Sequence, residues 1–119
     1  MPIKIINETK NTLVAEKAVL VETFLMRIKG LLGRKKFLKG EALILKPCNS
    51  IHTFFMKFPI DVVFLDKNNR VIKTIICLKP FRFTPVYFKA NLAIELPCGT
   101  IQATLTQPND FLRTVSLSE

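Results

Sequence analysis

The sequence predicts an α+β fold: an antiparallel-rich mixed sheet or small, partly closed barrel with one principal helix and a short second helix. Apolar residues recur with a helical period over about residues 23–34. Several later segments have the length and β-branched composition of strands, and turn-forming residues separate them. The 119 residues contain no repeat or linker, and 49% are hydrophobic. We therefore expect one domain over residues 1–119 with a packed core.

The first elements are a predicted hairpin and the principal helix. Residues 3–6 and 12–21 read as strands, with a polar bend at residues 7–11 between them. Thr23 can cap the helix that follows at about 23–34. At about 100° per residue its apolar side chains fall within an arc of about 120°. They are Phe24, Leu25, Ile28, Leu31 and Leu32.

Strands dominate the middle of the chain. Residues 42–46 and 51–56 are predicted as short strands. Residues 61–65 are apolar on both faces after Asp61, so this strand should lie in the interior of the sheet. A hairpin loop at residues 66–70, rich in asparagine, leads into a strand at 71–78.

The last third of the sequence begins with an excursion. Residues 79–89 contain prolines and aromatic residues interleaved with basic ones. Residues 92–96 alternate cleanly and predict a strand with Glu95 on the face opposite its apolar neighbours. The short second helix is expected at about 100–106, and a final strand at 111–117 closes the sheet.

Charge is strongly basic, with 18 Lys and Arg against 9 Asp and Glu, and a net charge of +9. Part of the excess forms a basic patch without any acidic residue, made of Arg27, Lys29, Arg34, Lys35, Lys36 and Lys39. Such a patch attracts phosphate-rich partners by counterion release. More commonly, such a patch is a solvated face that keeps an apolar protein soluble, and no nucleic-acid-binding motif accompanies it.

The sequence also gives expectations for the cellular compartment and for cofactors. Its apolar runs are far shorter than the about 20 residues of a bilayer span, and its first residues lack the apolar region of a signal peptide. We expect a cytoplasmic protein without a membrane partner and without a cofactor. In a reducing compartment, Cys48, Cys77 and Cys98 are expected as free thiols.

Polar groups capable of chemistry concentrate in residues 48–66, a stretch otherwise composed like a protein interior. With polar residues from the helix and a later strand, they define a candidate pocket of Arg27, Cys48, Ser50, His52, Thr53, Asp61 and Glu95. His52 is the only histidine, and its pKa range suits proton transfer. A lone histidine beside Phe and Met is more often a hydrogen-bonded structural residue.

Other chemical roles for these residues remain open. Cys48 and His52 would form a nucleophile–base pair only within about 3.2 Å. With Asp61 they would form a metal site that lacks a fourth protein ligand, so no metal site is predicted. The Asp61 carboxylate can instead accept backbone amides or pair with Arg27. If Asp61 and Glu95 converge, they could work as an acid–base pair.

Six fragments, in this order and spacing, resemble the family called domain of unknown function 192, over about residues 23–113. They are Arg27-x-x-Gly30-Leu31-Leu32, Glu41-Ala42-Leu43-Ile44-Leu45, Cys48-x-Ser50-Ile51-His52-Thr53-x-x-Met56, Ile60-Asp61-Val62-Val63-Phe64-Leu65-Asp66, Glu95-Leu96-Pro97-x-Gly99-Thr100 and Asn109-Asp110. The resemblance implies a compact α+β domain of small bacterial and archaeal proteins and carries no catalytic assignment. Asn109 stands where the family usually has glycine, and asparagine can still adopt the positive φ of such a turn.

Three functions follow as hypotheses. The leading one is a non-enzymatic binding module whose polar pocket takes an anionic small molecule or a peptide segment. The second is a hydrolase or lyase that uses His52 with Asp61 or Glu95. The third is nucleic-acid association through the basic patch at residues 27–39.

Overall fold

Seven strands and one short helix make up the computed structural model, which describes residues 3–22, 37–54 and 56–116. The strands form one sheet in the order β5-β4-β6-β3-β2-β1-β7. In chain order the elements are β1 (Ile3–Asn7), β2 (Thr12–Val21), β3 (Glu41–Leu45), β4 (Ile60–Leu65), β5 (Val71–Leu78), β6 (Leu92–Pro97), α1 (Thr100–Ala103) and β7 (Leu112–Ser116).

The sheet is mixed. β2 and β3 run parallel, in a register that pairs Lys17 with Glu41, and every other pair is antiparallel. The two outermost strands, β5 and β7, approach each other at one end. An antiparallel bridge joins Arg70 to Phe111 there, and the Val71 amide donates to the Asp110 carbonyl at 2.8 Å. The sheet therefore curls until its edges touch.

The predicted α+β class is wrong. Strands account for nearly all regular structure in the described ranges, and the only helix within them is the four-residue α1. The principal helix predicted at 23–34 lies outside the described residues. The second helix ends at Ala103 rather than near 106, because Leu105 has a φ of 61° and leaves the helical conformation. The Thr104 hydroxyl donates to the Thr100 carbonyl at 2.8 Å, the kind of local bond that competes with helix continuation.

Most strand predictions are confirmed, and one is wrong. β2 and β5 have the predicted bounds of 12–21 and 71–78. The segment predicted as a strand at 51–56 contributes only one bridge, from His52 to Phe83. Its Thr53 instead anchors the loop after β5: the Thr53 amide donates to the Arg82 carbonyl at 2.8 Å.

Apolar side chains cover the sheet on both sides. The first face buries Ile5, Val14, Ala18, Ala42, Ile44, Val63, Leu65, Ile94, Leu96, Ile101 and Leu112. The second face buries Val21, Leu43, Leu45, Ile51, Ile60, Val62, Phe64 and Ala93. All six residues of β4 are buried, which confirms it as an interior strand. A polar side chain on β4 or β6 must therefore find its partners inside one of two dry layers.

Candidate functional site

Asp61 lies in β4 with its side chain fully buried. Its carboxylate accepts three backbone hydrogen bonds, from the amides of Cys77 at 2.9 Å, Gly99 at 3.1 Å and Ile101 at 2.8 Å. Two of these donors belong to the turn and first residues of α1, where amides have no intrahelical acceptor. Acceptance of backbone amides, one of the two predicted roles, is therefore the one observed. Arg27, the alternative partner, lies outside the described residues.

Glu95 lies on β6 and is only 7% exposed. It faces Val62 and Leu43 across the two neighbouring strands, so its side chain belongs to the second face. No hydrogen bond to its carboxyl group comes from a residue within the described ranges. Burial raises the pKa of Glu95 to about 7.

Asp61 and Glu95 point to opposite faces of the sheet. Asp61 pairs with Leu96, which packs on the first face, whereas Glu95 pairs with Val62 on the second. Side chains of directly opposed residues share a face, and successive residues alternate. The two carboxyl groups are thus separated by the sheet and do not form an acid–base pair.

His52 is exposed on the protein surface. Its ring stacks on Phe54, with centroids 5.2 Å apart and an interplanar angle of 25°, and Phe54 in turn lies 6.2 Å from Phe83. All three of His52, Asp61 and Glu95 are described, and no hydrogen bond or ion pair joins the imidazole to either carboxyl group. Its neighbours are aromatic rings.

Thr53, Ser50 and Cys48 occupy the segment after β3. The buried Thr53 hydroxyl donates to the Lys79 carbonyl at 2.6 Å and accepts from the Arg82 amide at 3.0 Å. The Cys48 thiol donates to the Ser50 carbonyl at 3.1 Å. The Thr53 contacts fix the backbone of the loop after β5, whereas the Cys48 contact stays within the segment after β3.

The predicted basic patch is represented in the described ranges by Lys39 alone, which is exposed. Lys39 borders a groove of about 570 Å³ between the start of β2 and the turn before α1. Cys98 and Gly99 line the opposite side of this groove. The groove lining includes none of the six predicted pocket residues that the structure describes. The other five residues of the patch lie outside the described residues.

The structure has an exposed aromatic surface that, apart from His52, is not part of the predicted pocket. The aromatic surface consists of His52, Phe54, Phe81 and Phe83, with the three phenylalanines 39%, 69% and 74% exposed. Three exposed cations, Lys57, Lys79 and Arg82, lie within three residues of these rings in the chain, and Phe88 with Lys89 follows in the same loop. The alternation of aromatic and basic residues over 79–89 was the available sequence signal.

The expectation of three free thiols is wrong for two of them. Cys77 and Cys98 form a disulfide, with Cα atoms 4.9 Å apart. An irregularity in the β4–β5 register places an extra residue in β5, between the partners of Ile60 and Val62. This bulge turns Cys77 towards Cys98 across a sequence separation of 21, which spacing alone does not reveal.

No helix in the described part of the chain is long and apolar enough to cross a membrane. The geometry defines a small β protein built on one curled sheet, with a buried carboxylate below a helix start and an aromatic, basic loop surface. The chain belongs to the DUF192 family, uncharacterized ACR, whose model matches residues 5–114. The resemblance stated from the sequence is thereby confirmed and extends to β1.

Relatives and a solved structure agree with this assignment. The chain is 35% identical to a UPF0127 protein of Thermococcus kodakarensis over 112 residues, 91% of this chain and 71% of the relative. It is 35% identical to a UPF0127 protein of Pyrococcus horikoshii over 114 residues, 92% and 96% respectively. A crystal structure of a protein of unknown function from Novosphingobium aromaticivorans matches with a TM-score of 0.79 at 18% identity, covering 95% of this chain and 84% of that chain. This last match shows a shared fold.

Proposed function

We propose that this protein is a non-enzymatic binding module that holds single-stranded nucleic acid on the aromatic surface. The observation that carries the proposal is a cluster of exposed rings: Phe83, 74% exposed, lies 6.2 Å from Phe54, which stacks on His52. Phe81, 69% exposed, lies two residues before Phe83 in the same loop. Apolar area left in water costs about 25 cal/mol per Å². Contiguous exposed rings on a folded protein therefore mark an interaction site.

The rings stand on a fixed backbone. The Thr53 hydroxyl and amide bond to the loop at Lys79 and Arg82, and the Phe81 amide donates to the Thr53 carbonyl at 3.0 Å. The neighbouring Thr84 amide donates to the Ile51 carbonyl at 2.9 Å. A platform already held in place loses less conformational entropy when a ligand binds.

Charge selects an anionic ligand. Residues 46–60 and 67–94 contain no acidic residue, and the cations Lys57, Lys79 and Arg82 in them are exposed. An acidic peptide would satisfy these cations but leave the ring faces without stacking partners. A single strand supplies both phosphates and flat bases, each base–aromatic stack contributing about 1–3 kcal/mol. This chemistry favours single-stranded nucleic acid.

The proposal changes the location of the predicted binding site. Thr53 supports the loop, and the Cys48 thiol bonds to the Ser50 carbonyl within the segment after β3. Asp61 and Glu95 are buried on opposite faces of the sheet. Of the predicted pocket, His52 is the described residue that faces a ligand on the aromatic surface. The non-enzymatic class of the leading hypothesis is kept, and the polar pocket is replaced by the stacked rings.

Fluorescence anisotropy with labelled single-stranded DNA and RNA of mixed sequence tests the proposal. The wild-type protein should bind at 50 mM salt and lose about tenfold or more in affinity at 200 mM, because several phosphate contacts release counterions. The double variant Phe81→Ala/Phe83→Ala should weaken binding about tenfold or more. Arg82→Gln should lower the slope of log affinity against log salt by about one.

The matched control is Leu105→Ala, which removes another apolar side chain, 61% exposed, outside this surface. It should bind like the wild type. Binding that is absent at 50 mM salt, or that survives loss of both rings, contradicts the proposal. Anionic vesicles provide a second comparison: ring-dependent binding to vesicles without binding to single strands would identify a lipid surface instead.

A further inference from the structure

A second site, independent of the proposed function, lies at the end of β5. The carboxylate of Asp61 and the sulfur atoms of Cys77 and Cys98 all lie within 4.8 Å of one another. Asp61 is buried, Cys77 is half-buried and Cys98 is exposed. The cluster is therefore closed to solvent at Asp61 and open at Cys98, which borders the groove next to Gly99.

The backbone of Cys77 is held in an unusual conformation that creates this juxtaposition. Its φ is 49°, a left-handed value that costs a non-glycine residue of order 1 kcal/mol. The Asp61 carboxylate holds the Cys77 amide at 2.9 Å, and the bulge in β5 directs the side chain towards Cys98. A bulge of this kind commonly re-aims a side chain at a functional site.

The carboxylate retains capacity for a further ligand. Its Oδ2 accepts two amides, from Gly99 and Ile101, whereas Oδ1 accepts only the Cys77 amide. A carboxylate oxygen has about two lone-pair sites, so Oδ1 keeps one. No Lys or Arg side chain from the described ranges forms an ion pair with Asp61. A cation could therefore still bind this buried anion.

We propose that the reduced protein binds one thiophilic divalent cation of the Zn²⁺ class through Cys77, Cys98 and Asp61. Two thiolates and a carboxylate are a donor set that Zn²⁺ accepts, and three protein ligands leave the fourth position for water on the exposed side. While the sulfur atoms are bonded to each other they cannot act as thiolate ligands. The disulfide and the bound metal are thus mutually exclusive cross-links between β5 and the turn before α1.

Conversion between the two states is a two-electron reduction. A phosphine takes up one oxygen atom from water and becomes the phosphine oxide, while the Cys77–Cys98 bond breaks and gives two thiols. On metal binding each thiol releases its proton to the buffer, and two sulfur–metal bonds form. Reoxidation by disulfide exchange with an oxidised small thiol restores the cross-link and expels the cation.

Titration of the full chain with Co²⁺, before and after phosphine reduction, tests the site. The reduced protein should bind one Co²⁺ per chain with a thiolate-to-cobalt charge-transfer band and the visible bands of tetrahedral cobalt, and Zn²⁺ should abolish both. The oxidised protein should show neither. In the reduced state Zn²⁺ should also raise the Tm, whereas the Tm of the oxidised protein should not change.

Single variants separate this site from other cysteine chemistry. Cys98→Ser should remove most of the charge-transfer intensity and weaken Co²⁺ binding at least tenfold, and Asp61→Asn should weaken it similarly. Cys48→Ser, the matched control, should leave the spectrum unchanged. The proposal fails if reduced wild-type protein gives no thiolate–cobalt band, or if the band persists in Cys98→Ser. Because Cys98 is exposed, its replacement keeps this test valid even if Asp61→Asn does not fold.

Discussion

Asp61 and Glu95 are two buried carboxyl groups on neighbouring strands, one register step apart, and their surroundings are opposite. Asp61 pairs with Leu96 and accepts three backbone amides, whereas Glu95 pairs with Val62 and faces apolar side chains. Burial raises the pKa of Glu95 to about 7. The sheet thus separates a carboxylate that organises backbone from one that is costly to ionise.

The contrast arises from what lies beyond the ends of the strands. On the first face, the end of β5 and the start of α1 bring three amide donors to one point. On the second face, the described neighbours of Glu95 on β3 and β4 are Leu43 and Val62, which donate nothing. A buried polar group stabilises a fold only when its partners are supplied, and otherwise lowers its stability.

Removal of the Asp61 carboxylate should give the largest effect. Asp61→Ala leaves three amides without their acceptor in a mostly buried site, at about 1–3 kcal/mol for each unsatisfied group. We expect a loss of about 4 kcal/mol in the free energy of unfolding. Urea denaturation followed by circular dichroism at pH 7 measures this loss.

Asp66→Ala is the matched control for that change. The half-buried Asp66 also accepts backbone amides, from Asn68 at 2.8 Å and Arg70 at 3.0 Å, but in a surface turn. It should cost about 1 kcal/mol, because water replaces the lost acceptor. Equal losses for the two variants would contradict the special role assigned to Asp61.

Glu95→Gln should raise the free energy of unfolding, and the size of this gain should depend on pH. The pKa of Glu95 rises from an ordinary 4.5 to about 7 on folding, so the native state holds a proton that the unfolded state has lost between these values. Wild-type stability therefore falls as pH rises through this window. The variant cannot ionise and escapes that loss.

The measurement compares unfolding free energies of the two proteins at several pH values. The advantage of Glu95→Gln should grow by about 3 kcal/mol between pH 4 and pH 8, since each pKa unit corresponds to 1.36 kcal/mol. Other titrating groups are common to both proteins and cancel. A difference that stays constant across this range would show that Glu95 does not titrate as its burial requires.

Local patterns predicted the strands well. β2 and β5 follow from alternation and β-branched residues between turns, and the interior position of β4 follows from its run of apolar residues after Asp61. The fold class is wrong because strands make up nearly all the regular structure of residues 3–22, 37–54 and 56–116, and the only helix in these ranges has four residues. α1 is short because Leu105 adopts a positive φ, a local choice that composition does not encode.

The candidate site was less predictable, because it depends on which face of the sheet each side chain occupies and on the register between strands that are distant in sequence. The spacing of Asp61 and Glu95 says nothing about the one-step offset that sends them to opposite sides of the sheet. The bulge that orients Cys77 towards Cys98 likewise arises from the pairing of β5 with β4. His52 was predicted as a pocket residue or a hydrogen-bonded structural residue, yet its ring stacks on Phe54 and both side chains are exposed.

A third carboxyl group, that of Asp110, forms an ion pair whose loss should change the free energy of unfolding least. Burial alone would raise its pKa, but hydrogen bonds from Asn7, Lys10 and the Gln107 amide, with the Lys10 charge, hold the pKa below its ordinary value. Its ion pair with Lys10, at 2.9 Å, is partly open to water. Lys10→Met should therefore cost only about 0.5–1 kcal/mol at pH 7.

The pH dependence distinguishes this contact from simple packing. A carboxyl group with a lowered folded-state pKa contributes stability that is present above its unfolded pKa and is lost as pH falls through the folded pKa. Lys10→Met raises that folded pKa, so the difference from wild type should vanish in acid once Asp110 is protonated in both proteins. Unfolding free energies at pH 7 and at successively lower pH test this. A difference that persists in acid would assign the effect to the lost Lys10 hydrogen bond with the Leu105 carbonyl, at 3.0 Å, rather than to charge.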